Sequence, residues 1–343
     1  MSMNDHRRML LDIGALNSTS EDLSQYPSIL QDAVNTIIAC LAVLGNGLVI
    51  TVMLLRRRVF SSFTNRLILH QSIIDTIAGV LFFIHHVVIK TRTLTASMEG
   101  NVSDQILCRF LVSDFALWWV NVTSTYNLVV ISLERFMATC HPVKHRNTWS
   151  AAKLKFAVAS AWGVGLVYNS HYVFAFEARQ GYCELIEMSS GVKALYHTAV
   201  LAVGYFVPIT ILIYTYSRIL IMLRKKTLNQ QANGPRIVMT KAKKNILVTT
   251  MLIGVMFVVC WTPIEVLYIY QRFTVYWSTP LYYPFTSVLA CNMFVNPIIY
   301  CFKYEHFRSE LRQLIIKRCR RNRVNNVEVM SIAVAALRMD THL

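Results

Sequence analysis

Long apolar runs without a charged side chain dominate the chain. Six stretches lack Asp, Glu, Lys and Arg: Ala33–Leu55, Phe115–Leu133, Phe156–Phe176, Ala194–Ser217, Asn245–Ile264 and Phe273–Phe302. A seventh, Leu67–Ile89, is interrupted only by Asp75. A helix needs about 20 residues to cross the hydrocarbon core of a bilayer, whereas barrel strands need only about ten residues of alternating polarity. The pattern therefore predicts seven transmembrane helices.

The predicted fold is an all-α membrane protein, a seven-helix bundle followed by a short amphipathic cytoplasmic helix. We expect the helices at about residues 31–55, 66–90, 107–139, 154–176, 195–224, 241–271 and 281–303. Residues 1–30 form an extracellular N-terminal segment without the apolar core of a signal peptide, so helix one should act as its own insertion signal. Residues 304–319 form the amphipathic helix, and residues 320–343 form a cytoplasmic tail.

The distribution of positive charge predicts the orientation of the chain. The net charge is +16, which by itself could indicate nucleic acid binding. However, most of the 34 Lys and Arg residues lie in the segments that face the cytoplasm when the N-terminus is outside, including the run Arg56–Arg58. This positive-inside pattern predicts a multi-pass plasma-membrane protein with a cytoplasmic C-terminus and no nucleic acid partner. The basic inner face suits anionic lipid of the bilayer or an acidic protein partner, and both can apply.

This topology separates the eight cysteines by compartment. Only Cys108 and Cys183 face the oxidising outside, so a bridge between them is predicted to tie helix three to the second outer loop. The remaining six lie in apolar runs or on the reducing side. Two outer sequons, at Asn17 and Asn101, are predicted glycosylation sites, whereas the sequon at Asn121 is discarded because it lies within helix three.

Short motifs fall on the predicted helices in a fixed order. Helices one to three carry "GNGLV", "HQSIID" and "LERF", helix four contains Trp162, and helix five contains Pro208 and Tyr216. Helix six carries "FVVCWTP" and helix seven "NPIIY". Over roughly residues 30–319, this set resembles the rhodopsin-like G-protein-coupled receptors, with features of peptide receptors. The resemblance implies partners: an extracellular ligand, a heterotrimeric G protein and arrestin.

The chain departs from the family pattern in three places. Glu134-Arg135-Phe136 replaces the commoner Asp-Arg-Tyr, and Ser72–Asp75 replaces Leu-Ala-x-Asp. The separation of Cys108 from Arg135 is longer than expected, so the outer half of helix three should bulge or shift in register.

The resemblance implies a switch at the cytoplasmic end of the bundle. Glu134 would hold Arg135 aside at rest, and on activation Arg135 would turn toward Tyr216 and Tyr300 and open a cavity for a G-protein helix. Lys243 and Lys244 begin helix six, so the acidic residue with which many relatives latch the arginine is missing. A solvated helix end with a chance ion pair is the alternative. Further switch positions are Phe257, Trp261, Pro263, Asn296 and Pro297. Pro208, Pro263 and Pro297 lie inside helices five, six and seven, where prolines invite kinks.

Asp75 is a lone carboxylate near the middle of the membrane, which is costly and indicates a functional site. The resemblance places it in a small hydrated pocket, and oxygen ligands around one carboxylate suit a sodium ion. The alternative is a protonated aspartic acid that only packs helices. The predicted pocket members are Asp75, Asn46, Ser124, Trp261, Asn292 and Asn296.

Acidic side chains near the outer ends of helices three and six are candidates for ligand binding. Glu265 lies one turn outward of Trp261, on the same side of helix six, and could meet a cationic ligand group or bond to a neighbouring helix. Asp114 is a second candidate. The position at which amine receptors keep their Asp falls on Leu117 or Phe115, which argues against an amine ligand. The predicted pocket comprises Asp114, Leu117, Trp261, Glu265 and Tyr268.

The segment after helix seven combines an apolar stripe with basic residues, typical of an interfacial helix on the bilayer. The stripe is Phe307, Leu311, Leu314 and Ile315. Cys319 follows it as a candidate palmitoylation site, with a free thiol as the alternative. Thr341 and Leu343 end the chain in a pattern that a PDZ domain could bind.

Other functions of a multi-pass protein are disfavoured. A retinal-based light receptor needs a lysine in helix seven, and Phe273–Phe302 contains none. A transporter is disfavoured because no internal repeat is visible. No H-E-x-x-H motif, catalytic carboxylate pair or Cys/His metal cluster indicates an enzyme. The sequence favours a receptor for a neuropeptide-like ligand, with a small amine as the second choice.

Overall fold

The computed structural model describes residues 3–89, 100–179, 182–186, 189–233, 241–273 and 279–317, with side chains in helix one described from residue 29 onward. Within these residues the chain is a helical bundle, which confirms the predicted fold class. Six helices are long and apolar enough to cross a membrane: Ile29–Leu55, Phe63–Ile89, Val102–Cys140, Ala194–Lys225, Lys244–Tyr270 and Leu281–Lys303. Helix four, Ala151–Ala175, packs against helix three within the same bundle.

The helices have the following bounds. Helix one is Met3–Leu55, and helix two is Phe63–Phe83 with a π-helical continuation, Ile84–Ile89. Helix three consists of Val102–Leu107, the π-helical turn Cys108–Val112, and Phe115–Cys140. Helix five consists of Ser190–Leu201, the π-helical turn Ala202–Phe206, and Val207–Asn233. Helix six is Lys241–Phe273, helix seven is Thr279–Lys303, and helix eight covers 305–317.

The outer half of helix three contains the irregularity that the Cys108–Arg135 separation predicted. The N–H of Ser113 donates to the carbonyl of Cys108 at 2.9 Å, closing a wide π-helical turn. Asp114 then adopts a left-handed conformation with φ of 66°, and regular helix resumes at Phe115. A π-helical turn contains about one residue more than an α-helical turn. The extra length between Cys108 and Arg135 is therefore accommodated in this turn, and helix three is regular from Phe115 onward.

Helix five has a π-helical turn for a visible chemical reason. A π-helical bond to the carbonyl of Val203 would come from the N–H of residue 208, but that residue is proline and has none. The hydroxyl of Tyr126 on helix three donates to this carbonyl at 2.9 Å instead. Pro208 therefore both interrupts helix five and creates a polar contact with helix three.

A short antiparallel hairpin in the second outer loop was not predicted. Strand β1, Phe176–Arg179, pairs with β2, Tyr182–Leu185, so that Ala178 lies opposite Cys183. The predicted Cys108–Cys183 disulfide is confirmed, with the two Cα atoms 5.4 Å apart. The side chain of Gln105 bonds to both the N–H and the carbonyl of Ala178, at 3.2 and 2.9 Å. The hairpin is thus fastened to the top of helix three.

The surface of the bundle is apolar over most of the transmembrane helices. Large apolar side chains such as Leu44, Phe156, Val167 and Phe302 are exposed on helices one, four and seven, as expected for residues that face lipid. Helices three and four meet closely at Gly165, where a Cβ atom would lie 3.0 Å from the backbone oxygen of Trp119. This contact leaves no room for a side chain.

Candidate functional site

The cytoplasmic end of helix three is built around the buried carboxylate of Glu134, whose side chain is 1% exposed. The guanidinium of Arg135 donates to both of its oxygens at 2.6 Å. Thr64 of helix two donates to Oε2 at 2.8 Å, and Nε2 of His145 lies 3.0 Å from Oε1. Charge-assisted bidentate bonds are among the strongest that side chains form, so Arg135 is held against its neighbour.

The sequence did not identify Thr64 or His145 as partners of Glu134. His141 ends helix three and Pro142 begins the loop helix Pro142–Thr148. Proline suits the first helical position, where its missing N–H is not needed. The resulting turn directs His145 back toward Glu134.

Tyr216 and Tyr300 are present near the same end but do not hydrogen-bond to Arg135. The Tyr216 hydroxyl donates to the carbonyl of Thr250 on helix six at 2.9 Å. Tyr300 is fully buried, and its hydroxyl has no hydrogen-bond partner in the part of the chain that the structure describes. The Tyr300 hydroxyl is therefore available for a new bond, whereas a bond between Tyr216 and Arg135 would require Tyr216 to leave Thr250.

Asn245 links the inner end of helix six to the junction of helices seven and eight. Its Nδ2 donates to the carbonyl of Lys303 at 2.6 Å, and its Oδ1 accepts from the N–H of Glu305 at 2.8 Å. These bonds also satisfy backbone groups at a helix end and a helix start. A neutral amide here ties helix six to its neighbour at the end where the acidic latch of many relatives is missing.

The structure brings three of the predicted sodium ligands together. Asp75 Oδ2 accepts from the Asn296 amide at 2.8 Å, and Oδ1 accepts from the Ser124 hydroxyl at 2.9 Å. Asn292 is buried but makes no hydrogen bond to Asp75 in the described structure. Asn46 instead donates to the carbonyl of Met293 at 2.7 Å.

Gln71, which the sequence analysis did not single out, completes the surroundings of Asp75. Its Nε2 donates to Asp75 Oδ1 at 2.9 Å and also lies against the Ser124 hydroxyl. Sodium requires oxygen ligands, and the buried Oδ1 of Asn46 is an oxygen without a hydrogen-bond partner in the described residues. The oxygens of Asp75 and Ser124 could hold sodium on the condition that the Gln71 amide moves away from the carboxylate.

A chain of hydrogen bonds runs from helix four to Asp75. The indole N–H of Trp162 can only donate, so Nε2 of His70, 2.9 Å away, accepts. Neutral His70 then carries its proton on Nδ1 and donates to Asn127 Oδ1 at 2.9 Å. Asn127 donates to Gln71 Oε1 at 2.7 Å, and Gln71 donates to Asp75. The predicted Asp75 site is therefore one end of a longer network.

Aromatic side chains of helices three and six meet beneath the outer half of the bundle. Pro263 lies inside helix six and Pro297 inside helix seven. Below Pro263, the ring centroids of Phe257 and Trp261 are 5.4 Å apart. Trp118, which was not predicted, contacts Trp261 with ring centroids 6.2 Å apart. These rings form a packed layer between the outer and the central sites.

Two of the predicted pocket residues, Leu117 and Asp114, already contact other residues inside the bundle. Leu117 is buried among side chains of helices one, two and seven. Asp114 Oδ1 lies 2.6 Å from Nδ1 of His85 on helix two.

Glu265 remains the clearest candidate for a charged ligand group. Its side chain is half-buried, and no hydrogen bond or ion pair joins it to another described residue. Tyr268 follows three residues later, on the same side of helix six. Of the two predicted roles for Glu265, a bond to a neighbouring helix is therefore not seen in the described structure.

Helix eight packs partly against the bundle. Phe307 is fully buried, whereas Ile315 of the predicted stripe is exposed, as is its neighbour Ile316. Arg56 and Glu310 form an ion pair at 3.1 Å.

Asn101 is exposed and caps the start of helix three. The side chain of Asn17, and Cys319, Thr341 and Leu343, lie outside the described residues, so the modifications and the PDZ interaction stay predictions.

Comparison with known proteins gives consistent results over most of the chain. The family profile "7 transmembrane receptor (rhodopsin family)" matches residues 45–300. Galanin receptor 2b of Danio rerio is 26% identical over 95% of this chain and 86% of its own length. Galanin receptor type 1 of Homo sapiens is 27% identical, covering 81% and 79%. Substance-K receptor of Bos taurus is 26% identical, covering 88% and 79%.

Proposed function

The chain belongs to the rhodopsin family of seven-transmembrane receptors, and on this premise we propose that it binds an extracellular peptide and activates heterotrimeric G proteins. The family consists of receptors, not enzymes, and the chain is a multi-pass membrane protein. Relatives named for galanin and for substance K cover most of its length, which supports a peptide ligand. The proposed orientation has the N-terminus outside, in keeping with the predicted distribution of positive charge.

The observation that carries the choice of ligand is the environment of Glu265. Glu265 is a half-buried carboxylate without a hydrogen-bonding partner among the described residues. Pairing with a cation would offset the free-energy cost of burying its charge. The N-terminal amine or a basic side chain of a peptide would supply that cation. Tyr268, three residues further along helix six on the same side, would lie beside it.

A small amine remains the second candidate. Amine recognition would need a free carboxylate on helix three. Phe115 and Leu117, the two positions expected for it, are buried apolar residues, and Asp114 is already paired with His85. The helix-three side of the pocket therefore supports an amine less well than a peptide.

On the cytoplasmic side, the bonded Glu134–Arg135 pair and the Asn245 contacts support a resting state. Release of Arg135 and separation of helix six from helix seven would open the cavity for a G-protein helix. Arrestin would use the same cavity. Contacts of the basic inner face with anionic lipid of the bilayer belong to the same proposal.

A library screen tests the proposal. Cells expressing the chain are exposed to neuropeptides and amines while calcium and cyclic AMP are recorded. Cells that express Arg135→Ala are the control: a response that persists in these cells does not depend on signalling by this receptor. A peptide response present in the wild type and absent in Arg135→Ala, at equal surface expression, supports the function. Selective responses to amines alone would contradict the peptide assignment.

A further inference from the structure

Three potential metal ligands converge at the outer ends of helices two and three. The ligand atoms of His85, His86 and Asp114 all lie within 4.8 Å of one another, and each side chain is partly exposed. The two imidazole rings have centroids 5.2 Å apart. Asp114 Oδ1 is 2.6 Å from His85 Nδ1. This cluster is separate from the Asp75 network and from the cytoplasmic switch.

Unusual backbone conformations bring the three side chains together. His85 and His86 lie in the π-helical continuation Ile84–Ile89, where successive residues turn less about the axis than in an α-helix. Asp114 is the only described residue other than glycine with a positive φ, and it follows the second π-helical turn, Cys108–Val112. Residues in sparsely populated backbone regions persist where surrounding structure imposes them, and they cluster at functional sites.

The two ring nitrogens of His85 both face acceptor oxygens. Nε2 lies 3.2 Å from the carbonyl of Val112, and Nδ1 faces the carboxylate of Asp114. A neutral imidazole has only one N–H, so His85 can satisfy both oxygens only with a second proton, or with a metal ion on Nδ1 once Nδ1 and the carboxylate have moved apart. A metal on Nδ1, with the Nε2 proton donated to a backbone carbonyl, is the usual arrangement of a metal-binding histidine.

We propose that His85, His86 and Asp114 bind a zinc ion. Two imidazoles and one carboxylate are ligands that zinc uses in three-ligand sites, which leave a fourth position for water or a ligand group. Ligand distances of about 2.0–2.2 Å in a tetrahedral site require that His85 Nδ1 and Asp114 move apart to roughly 3.3 Å. Their partial exposure allows this shift. The ion would cross-link helices two and three close to the Cys108–Cys183 disulfide.

The site is tested by measuring zinc binding to the full-length protein, which is purified in detergent and freed of metal with a chelator. The wild type should bind one zinc ion more tightly, by at least about tenfold, than His85→Ala, His86→Ala and Asp114→Asn. Asparagine tolerates the left-handed conformation at position 114, so Asp114→Asn removes a charge without straining the backbone. His197→Ala, which changes an exposed histidine on helix five, is the matched control and should bind zinc like the wild type.

His86→Cys keeps the test decisive if an alanine variant fails to fold. Cobalt(II) bound at the site should then show an intense thiolate-to-metal absorption band that the wild type lacks. Magnesium, which prefers oxygen ligands, should not compete with zinc. Equal zinc affinity and stoichiometry in the wild type and the three ligand variants, or no thiolate band in His86→Cys, would overturn the proposal. Because binding is measured without an agonist, the outcome does not depend on the proposed receptor function.

Discussion

The side chain of Asn245 and the backbone N–H of Glu305 form a 2.8 Å hydrogen bond that ties helix six to the start of helix eight. The same amide donates to the carbonyl of Lys303. Helix six starts in a run of lysines, so no carboxylate at its beginning is available to hold Arg135. The inner end of helix six is therefore tied to its neighbours by a neutral amide and by the packing around it.

Asn245→Ala should raise basal signalling. The variant loses two hydrogen bonds of about 1 kcal/mol each, so the ratio of active to resting receptor should rise by roughly 30-fold. Basal cyclic AMP or calcium at matched surface expression is the measurement. Asn245→Asp keeps the acceptor for the N–H of Glu305 and loses the donor to Lys303, so its basal signal should lie between those of the wild type and Asn245→Ala. Basal activity of Asn245→Ala equal to that of the wild type would show that the contact does not hold helix six.

Substitutions at the inner end of helix three should have opposite effects on signalling. Arg135→Ala should retain ligand binding and lose G-protein activation, because in the proposed active state the released guanidinium contacts the G protein or its cavity. Glu134→Gln should raise basal activity, since it removes the charge from the bidentate pair that holds Arg135. His145→Ala removes only one bond to Glu134 and should have a smaller effect than Glu134→Gln. Normal agonist responses from a well-expressed Arg135→Ala receptor are incompatible with this role.

The apolar runs made the number and order of the helices predictable, because membrane spans are determined by local composition. The disulfide was also predictable, since topology left only Cys108 and Cys183 outside. The contacts of Asp75 with Gln71 and of Glu134 with Thr64 were not predictable in the same way. They depend on how each helix is rotated within the bundle, which the apolar pattern on lipid-facing helices hardly constrains.

Backbone irregularities were only partly predictable. The longer spacing from Cys108 to Arg135 indicated a bulge in helix three, but not that Asp114 would adopt a left-handed conformation next to His85. Pro208 predicted an interruption of helix five but not the Tyr126 bond that compensates for it. The strands of the second outer loop are only four residues long, too short for their alternation to predict a hairpin, and the hairpin is held by its attachment to Gln105 and Cys108.

Sodium should lower agonist affinity, and Asp75→Asn should abolish this effect. An ion that prefers the resting state disfavours any ligand that prefers the active state. Gln71→Leu should strengthen the response to sodium, because it removes the amide that bonds to Asp75 Oδ1. Agonist affinity is measured by competition binding in sodium and in a large organic cation at equal ionic strength. If Asp75→Asn responds to sodium as the wild type does, the ion does not bind at this carboxylate.

Glu265→Gln should weaken the potency of a peptide agonist with a cationic group while leaving surface expression intact. Loss of one partner of a desolvated charge pair typically costs about 2–5 kcal/mol, much of it from the partner left unpaired. Potency in a calcium or cyclic AMP assay should therefore fall by roughly 30-fold or more. Glu177→Gln, which neutralises a partly exposed carboxylate in strand β1, is the matched control and should change potency little.

Neutral analogues of the peptide identify the group that meets Glu265. Replacement of the relevant Arg or Lys by a neutral residue should reduce potency at the wild type but not further at Glu265→Gln, since the two changes remove the same interaction. Equal losses at both receptors would mean that Glu265 is not the counter-ion. The same comparison at Asp114→Asn would then decide whether the second acidic group binds the cation, and zinc-free buffer keeps the proposed metal from competing for that carboxylate.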